Sequence, residues 1–309
     1  MLEDGEIVAH EILLDTSSLM YRAYFAIPPT VTGEDGRPVN AVHGYVDMVS
    51  RLVATRRPGS CTHCYDDDWR PAPRVEMYEG YKANRAPDPP GLPEQFGMLR
   101  DVLDALGMPQ ADAPGWEAED AIGALCARGV AEDPGSRFDV VTGDRDLIQL
   151  VHDPDVRVLF TVKGVSDLRV LDEAGVAERY GVPPSRYSDL ALLRGDPSDG
   201  LPGVRGVGEK TALALVRAYP SIEAMIEDAA RPRPTTRPLA GSPGLRARIR
   251  EAADYLRIAG EIVRIRTESE IRTWRPDPDE ERLALLAERH RLKGPVQRLR
   301  AAMAGPGSS

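Results

Sequence analysis

Three apolar stretches of the chain each lead to an aspartate, and these acids have the clearest chemical potential. Asp15 follows EILL, Asp66 follows CTHCY, and Asp144 follows FDVVTG. Each stretch is short and apolar, as expected for a buried β-strand. In an open parallel sheet, ligands bind at the edge where the carboxyl ends of the strands meet. We therefore expect these acids to lie close together although they are far apart in sequence.

Further acids accompany these three in short segments. They are separated by two or three residues, a spacing that places neighbours in one turn or on one face of a helix. One group occupies the first turn of a predicted helix at 116–128, and another lies in a later glycine-rich segment. The full set of candidate metal ligands is Asp15, Asp66, Glu117, Glu119, Asp120, Asp144, Asp146, Asp196 and Asp199.

So many carboxylates in one cleft require cations. Two carboxylates about 4 Å apart repel each other by roughly 4 kcal/mol at an effective dielectric constant near 20. All-oxygen ligands select Mg²⁺ or Mn²⁺ rather than zinc. The number of acids predicts two or more ions, an arrangement suited to phosphodiester hydrolysis. Any single acid could instead be a solvated turn or helix-cap residue, but the combination favours a metal site.

The elements that must position these acids alternate between strands and helices, which predicts an α/β fold with a parallel sheet. Helical spacing of apolar residues indicates helices at 40–55, 95–106 and 116–128. Between them, residues 70–95 have no clear period. We expect a long, irregular or partly helical insertion there, and such insertions are usually functional or mobile.

The sequence changes character from residue 189 onward. A glycine-rich run at 195–208 leads into the predicted helix EKTALALVRAY, and a helical segment at 245–265 follows. The intervening RPRPTTRPLAGSPG at 231–244 predicts a mobile loop. We expect the final AGPGSS to be disordered.

Two regions carry groups that could bind DNA. The hairpin GVRGVGEKT at 203–211 runs into a helix N-terminus, where backbone N–H groups can meet a phosphate. In the insertion, the charges of Lys82 and Arg85 could stabilise a transferring phosphate. Tyr81 could stack on a base or pack against the insertion. The candidate DNA-contacting residues in the hairpin are Gly203, Gly206, Gly208, Lys210 and Thr211.

The overall composition argues against a nucleic-acid partner. The net charge is −10, whereas nucleic-acid binding usually shows a basic footprint. Cations bound among the acids would cancel part of that charge. Three cysteines do not make a disulfide framework, and Cys61 and Cys64 without a second pair predict buried thiols rather than zinc ligands. No signal peptide or membrane span is evident, so we expect a cytoplasmic protein.

Five segments together carry a specific resemblance. They are LLDTSSLMYRAYFA at 13–26, YEGYKANR at 78–85, EAED at 117–120, TGDRDLIQLV at 142–151 and LLRGDPSDGLPGVRGVGEKTA at 192–212. The chain resembles the bacterial 5′-nuclease and flap-endonuclease family, which includes the 5′-exonuclease domain of family-A DNA polymerases. The resemblance covers roughly residues 11–270. No polymerase region follows, so we expect a stand-alone relative.

The resemblance implies a PIN-like parallel-sheet core with a helical arch and a helix–three-turn–helix DNA-binding element. It implies that the nine acids form the metal cluster, and that Lys82 and Arg85 lie in the arch over the scissile phosphate. It also implies that Arg74 faces DNA and that the hairpin holds K⁺. Where the family usually has Asp, this chain has Glu119, and Asp67 and Asp68 follow Asp66 where small or basic residues are usual.

The predicted organisation has three parts: a nuclease core at 1–188 with an arch insertion at about 70–95, a DNA-binding region at 189–270, and a C-terminal extension at 271–309. The predicted activity is 5′-flap endonuclease and 5′-3′ exonuclease cleavage in DNA replication and repair. Its predicted substrates are DNA with flaps, nicks or 5′ ends, and we expect a nucleoid-associated monomer.

Two other interpretations stay open, and a third is disfavoured. A PIN-type ribonuclease would share the acids, although small members of that class lack the arch and the hairpin. A non-catalytic relative that recognises branched DNA would have lost its metals. A HAD-like phosphatase would need a second Asp two residues after Asp15, where this chain has Ser17.

Overall fold

The structure is a computed structural model that describes residues 10–237 and 239–305. Its centre is a seven-stranded sheet in the order β6-β5-β4-β1-β2-β3-β7. The five central strands run parallel, and β6 and β7 run antiparallel at the two edges. The strands are β1 (His10–Asp15), β2 (Ser60–Tyr65), β3 (Gln110–Asp112), β4 (Arg137–Thr142), β5 (Val156–Thr161), β6 (Leu168–Leu171) and β7 (Arg272–Trp274).

Helices cover both faces of the sheet because the central strands are apolar on both sides. On β1, Ile12 and Leu14 join one apolar cluster and Leu13 joins the other, as the alternation of side chains along a strand requires. The helices are α1 (Thr16–Ala26), α2 (Asn40–Arg56), α3 (Ala72–Met77), α4 (Leu92–Ala105), α5 (Ala118–Glu132), α6 (Glu173–Tyr180), α7 (Tyr187–Arg194), α8 (Glu209–Ala218), α9 (Ile222–Ala230), α10 (Pro243–Glu251), α11 (Ala253–Ile262), α12 (Glu280–Arg289) and α13 (Lys293–Ala304).

The register brings the predicted acids to one edge of the sheet. Asp15 pairs with Cys64 at the ends of β1 and β2, and Leu14 pairs with Val141 near the end of β4. Asp66 follows the end of β2 directly, and Asp144 follows the end of β4 after Gly143. The predicted helix after Asp144 is a short 3-10 helix, Asp146–Leu150.

A second, helical region follows the sheet. Helices α7 to α11 enclose an apolar cluster that includes Leu193, Leu215 and Ile249. Residues 231–237 and 239–242, which fall within the predicted loop, form neither helix nor strand. Among the described residues, no helix is both long enough and apolar enough to cross a membrane.

Two regions were only coarsely described by the sequence, the insertion and the C-terminal extension. In the arch segment (70–95), only α3 and the first residues of α4 are helical, and the chain between them forms turns and extended backbone. The C-terminal residues pack on the core: β7 pairs with β3, and Arg298 on α13 forms a 2.7 Å ion pair with Asp47 on α2. The disorder predicted for the tail falls mostly on residues 306–309, outside the described residues.

Candidate metal centre and DNA-binding surface

Asp15 is held at the end of β1 by groups from two other elements. Its carboxylate accepts the hydroxyl of Thr142 at 2.6 Å and the backbone N–H of Ser18 at 3.1 Å, which caps α1. The Thr142 hydroxyl also accepts the backbone N–H of Asp144 at 2.8 Å. One side chain therefore sets the positions of two candidate ligands that lie on adjacent strands.

Asp66 links the end of β2 to the start of α5. It accepts the backbone N–H of Ala118 at 2.8 Å and the hydroxyl of Ser17 at 2.6 Å. An acid at a helix N-terminus is favoured by the unpaired N–H groups and by the helix dipole. These bonds fix the carboxylate beside the acids of the next helix.

Glu117, Glu119 and Asp120 form a tight group at the start of α5. One carboxylate oxygen from each lies within 4.8 Å of the others. Arg74 ion-pairs with all three: its guanidinium contacts Glu117, lies 3.2 Å from Glu119 and donates to Asp120 at 3.0 Å. Asp120 also accepts the backbone N–H of Arg266 at 3.0 Å.

Arg74, which was predicted to face DNA, lies inside the acid cluster. Its side chain is only 1% exposed, because the three acids of α5 enclose it. In this arrangement its guanidinium offsets part of the negative charge of the cluster. Tyr81 is also buried and donates its hydroxyl to Glu117 at 2.6 Å, so it packs within the protein rather than stacking on a base.

Asp144 and Asp146 lie together in the turn after β4, where Asp144 accepts the backbone N–H of Asp146 at 2.9 Å. Burial raises the pKa of Asp146 well above its ordinary value, and the charges of Asp144, Glu119, Asp199 and Asp196 raise it further. Acids from the sheet edge, from α5 and from the helical region therefore all raise the pKa of this one carboxyl group.

Asp196 and Asp199 reach this site because the helical region contacts the arch segment closely. The backbone N–H of Lys82 donates to Asp199 O at 2.9 Å. At Gly200 (φ +70°), a Cβ would lie only 2.2 Å from Gly80 O, so this approach requires glycine. Burial raises the pKa of Asp199, as do Asp144 and Asp196.

Lys82 lies between the two halves of the site. Its ammonium contacts Glu117, its side chain is buried, and its φ is +50°, which is uncommon for a residue other than glycine. Arg85 differs: its side chain is 42% exposed, and its guanidinium lies 4.0 Å from Asp199. Lys82 thus occupies the acid cluster, whereas Arg85 faces the opening.

The charges of the site favour bound cations. Among the described residues, no Lys or Arg lies within ion-pair distance of Asp15, Asp66, Asp144, Asp146 or Asp196. Burial raises the pKa of Asp15 to about 7 and that of Glu119 to about 8. A divalent ion would remove this penalty by favouring the charged forms. The donor set, all carboxylate oxygens, fits Mg²⁺ or Mn²⁺.

A cleft of about 1010 Å³ opens over these acids. Its floor includes Asp15, Asp66, Glu117, Glu119 and Asp144. Residues 85–89 of the arch segment line its wall, where the Tyr21 hydroxyl contacts Asp88. The cleft therefore lies between the acids and the arch segment.

The conformation of the hairpin at 203–211 depends on a glycine and on two buried valines. At Gly203 (φ +65°), a Cβ would lie 2.4 Å from Gly195 N, so glycine is required there. Val204 and Val207 anchor the hairpin in the apolar cluster, while the residues between and after them face solvent. The exposed members of the predicted set are Gly206, Gly208 and Lys210, and Gly203 and Thr211 are partly buried.

The hydroxyls that orient the acids were not among the predicted site residues. Ser17, Ser18 and Thr142 bond Asp66, the N–H of Gly143 and Asp15, respectively. The signal was present, because each hydroxyl lies within three residues of a strand-terminal acid. Cys61, Cys64 and Cys126 are free and buried, which confirms the expectation of buried thiols.

Comparison with known proteins agrees with this geometry. The model of the 5′-3′ exonuclease N-terminal, resolvase-like domain matches residues 10–181, and that of the 5′-3′ exonuclease C-terminal SAM fold matches residues 182–279. The chain belongs to the 5′-3′ exonuclease family. This confirms the resemblance stated above, the PIN-like α/β class with its appended helical region, and the assignment as a 5′-3′ exonuclease.

Full-length relatives support the same assignment. The chain is 44% identical to a 5′-3′ exonuclease of Streptomyces coelicolor, over 93% of this chain and 98% of that protein. It is 41% identical to a 5′-3′ exonuclease of Mycobacterium tuberculosis, over 94% and 97%. The match to DNA polymerase I of Mycobacterium bovis, at 42% identity, covers 70% of this chain and 24% of the polymerase.

Solved structures share the fold at low identity. The T5 D15 protein co-crystallised with metal ions superposes with a TM-score of 0.64 at 18% identity, over 94% of this chain and 98% of that one. Human GEN1 in complex with Holliday junction DNA superposes with a TM-score of 0.62 at 16% identity, over 94% and 71%. The fold is therefore one that also occurs in proteins crystallised with metal ions and with branched DNA.

Proposed function

We propose that this 5′-3′ exonuclease also cuts 5′ flaps, and that two or more Mg²⁺ or Mn²⁺ ions bound by its nine acids support both reactions. The convergence of the acids carries the proposal: Asp15, Asp66 and Asp144 meet at one edge of the sheet, and the helical region contacts the arch segment through the Lys82 N–H bond to Asp199 O. Among relatives of this fold, a T5 D15 structure is described as a flap endonuclease complex with DNA and metal ions.

The residues divide into two ligand groups. Asp15, Asp66, Asp144, Asp146 and the acids of α5 belong to the core, while Asp196 and Asp199 belong to the helical region. We propose that both groups share the ions. Cation binding would then be coupled to the packing of the helical region against the core. When bound, such ions activate the attacking water and stabilise the charge that develops on the phosphate.

The side chains of the chain itself would bind and orient the DNA. Lys82, whose ammonium contacts Glu117 and which lines the cleft, would donate to a phosphate oxygen of the bound DNA. Arg85, at the rim of the cleft, would contact the same or the adjacent phosphate with its forked donors. Thr142 and Ser17 would hold Asp15 and Asp66 in place. These roles require no large movement of the sheet.

The hairpin would hold duplex DNA beside the cleft. Its exposed backbone N–H groups and Lys210 suit a phosphate contact that reads no sequence. We propose that backbone carbonyls of the same hairpin bind K⁺. A monomer is sufficient for all these contacts, and we propose that the protein works as a monomer on the DNA of the bacterial nucleoid.

The test is a time course with a 5′-labelled flap duplex, a nicked duplex and an RNA of the same sequence, in Mg²⁺, in Mn²⁺ and in EDTA. We expect cleavage of both DNAs near the junction or the 5′ end with either metal and none in EDTA. Cleavage of RNA alone would favour a ribonuclease. Binding of the flap without cleavage in any metal would favour a non-catalytic protein that recognises branched DNA.

A further inference from the structure

Trp69 is exposed at the mouth of the cleft, where nothing in the assigned machinery uses it. It is 48% exposed and lines the cleft together with Lys82 and Arg85. Tryptophan is highly buried on average in folded proteins. A half-exposed indole directly above an acidic cleft therefore has an apolar face available to a ligand.

The backbone on both sides of Trp69 is fixed. The backbone N–H groups at 67–68 both donate to Trp116 O at 3.1 Å. On the other side, the Arg70 guanidinium donates to Tyr81 O at 2.7 Å. The ring is thus carried by a short segment tied to the start of α5 and to the arch segment. A fixed platform loses little conformational entropy when a ligand stacks on it.

A cation accompanies the ring. The guanidinium carbon of Arg85 lies 5.9 Å from the centre of the Trp69 ring, within the range of a cation–π contact. An aromatic face beside a basic side chain is the combination that binds single-stranded nucleic acid, because the ring stacks on a base and the cation meets the backbone. Phe25, which is 72% exposed, lines the same cleft and offers a second apolar surface.

The ligand that fits is an unpaired nucleobase. A paired base within a duplex is stacked on its neighbours and cannot offer its face to a side chain, whereas an unpaired base can. We propose that Trp69 stacks on an unpaired base of the 5′ strand next to the cleaved phosphate, and that this contact makes the enzyme prefer ends that carry such a base. This inference rests on the proposed flap cleavage and adds its specificity-determining residue.

The test combines a change in the protein with a change in the DNA. One flap substrate carries a normal unpaired nucleotide at its junction, and a second carries an abasic residue there. Single-turnover cleavage in Mn²⁺ gives a maximal rate and a half-saturating enzyme concentration for each. We expect Trp69→Ala to raise the half-saturating concentration about tenfold on the normal flap, within the range for base–aromatic stacking. It should change neither constant on the abasic flap.

Two further variants isolate the ring. Trp69→Phe keeps an aromatic face and should recover most of the loss. Leu285→Ala removes a more exposed apolar side chain on α12, 66% exposed, and should behave like the wild type on both DNAs. With 2-aminopurine as the unpaired base, wild-type binding should quench the emission, and Trp69→Ala should quench it much less.

Two results would overturn the inference. Equal weakening on both flaps would mean that Trp69 only supports its loop or Arg85, and no change on either would mean that the ring contacts no base. If the proposed flap cleavage itself were wrong, the result would be different, because the wild type would then cut neither flap in Mn²⁺. In that case the 2-aminopurine signal still decides whether Trp69 stacks.

Discussion

The basic side chains beneath the acid cluster and those at the rim of the cleft have opposite surroundings. Arg74 is 1% exposed and ion-paired with all three acids of α5, whereas Arg85 is 42% exposed and lies 4.0 Å from a single carboxylate. The first belongs to the folded site, and the second is available to a ligand. The difference shows that residue type and motif position do not by themselves identify a phosphate contact.

The same comparison resolves the conflict between net charge and function. With a net charge of −10, the chain looks unsuited to DNA. Part of the negative charge is concentrated in the metal cluster, where ions and Arg74 offset it. The exposed cations, such as Arg85 and Lys210, lie on elements that face the opening or the solvent. The local distribution of charge therefore matters more for DNA binding than the total.

The largest expected effect comes from removing a charge in the cluster itself. Asp146→Asn should abolish cleavage while leaving flap binding measurable, because the ligand is lost but the hairpin is not. It should also raise the melting temperature in EDTA, since Asp146 is buried among like charges. Gel-based cleavage, fluorescence anisotropy and thermal unfolding measure the three quantities.

The control for this variant is Asp254→Asn, which changes an exposed acid on α11 and should alter neither cleavage nor melting. Wild-type cleavage by Asp146→Asn would remove this residue from the metal site. A lower melting temperature in EDTA would show that the acids are not under mutual repulsion.

Arg74→Gln should have the opposite effect on stability. Removing one partner of a buried ion pair typically costs about 3–5 kcal/mol, because the remaining charges are left uncompensated. We expect a loss of this size in urea unfolding in EDTA, and a smaller loss in Mn²⁺, since bound ions replace part of the missing charge.

Arg257→Ala serves as the matched control, because Arg257 also pairs with two acids but on the surface. It should leave the free energy of unfolding nearly unchanged. If Arg74→Gln unfolded like the wild type but lost DNA affinity in a salt-dependent way, Arg74 would contact phosphate after all, and the comparison would fail.

Lys82 is buried in the acid cluster, as Arg74 is, but it also lines the cleft. Its substitution should therefore lower the cleavage rate rather than the DNA affinity. Lys82→Ala should slow single-turnover cleavage at saturating metal by about 10²-fold, the scale for loss of one group that stabilises transition-state charge. Lys82→Arg keeps the charge and should recover part of the rate. An unchanged rate in Lys82→Ala, with reduced stability alone, would restrict Lys82 to neutralising Glu117.

Much of the fold was predictable from sequence because local patterns and topology agreed. The apolar stretches before Asp15 and Asp66 have the length and flanking residues of buried strands, and parallel pairing then brings their ends together. The short strands at the edges were missed. β7 consists of three residues, Arg272–Trp274, and its place in the sheet depends on pairing with the distant β3, which no local pattern reveals.

The site was predictable in composition but not in its internal contacts. The positions of the acids follow from strand ends and helix starts. That Arg74 is enclosed by three carboxylates depends on how α3 packs against α5, which the irregular sequence at 70–95 does not specify. For the same reason the sequence left two alternatives open for Tyr81, and its burial in the apolar cluster of the helical region favours packing.

The smallest expected effect concerns the hairpin, and it tests whether the exposed basic residues act as proposed. Lys210→Ala should weaken duplex binding a few-fold at moderate salt and reduce the slope of log Kd against log salt by about 1, the value for one lost phosphate contact. Because Lys210 is exposed at the start of α8 and does not line the cleft over the acids, the maximal cleavage rate should stay the same. Lys293→Ala, which removes an exposed lysine paired with Glu288, provides the control and should leave the slope unchanged. Two outcomes are possible. If both variants changed the slope equally, Lys210 would contribute only through the overall charge of the protein. A change confined to Lys210→Ala would place duplex DNA on the hairpin and extend the contrast between buried and exposed cations to the helical region.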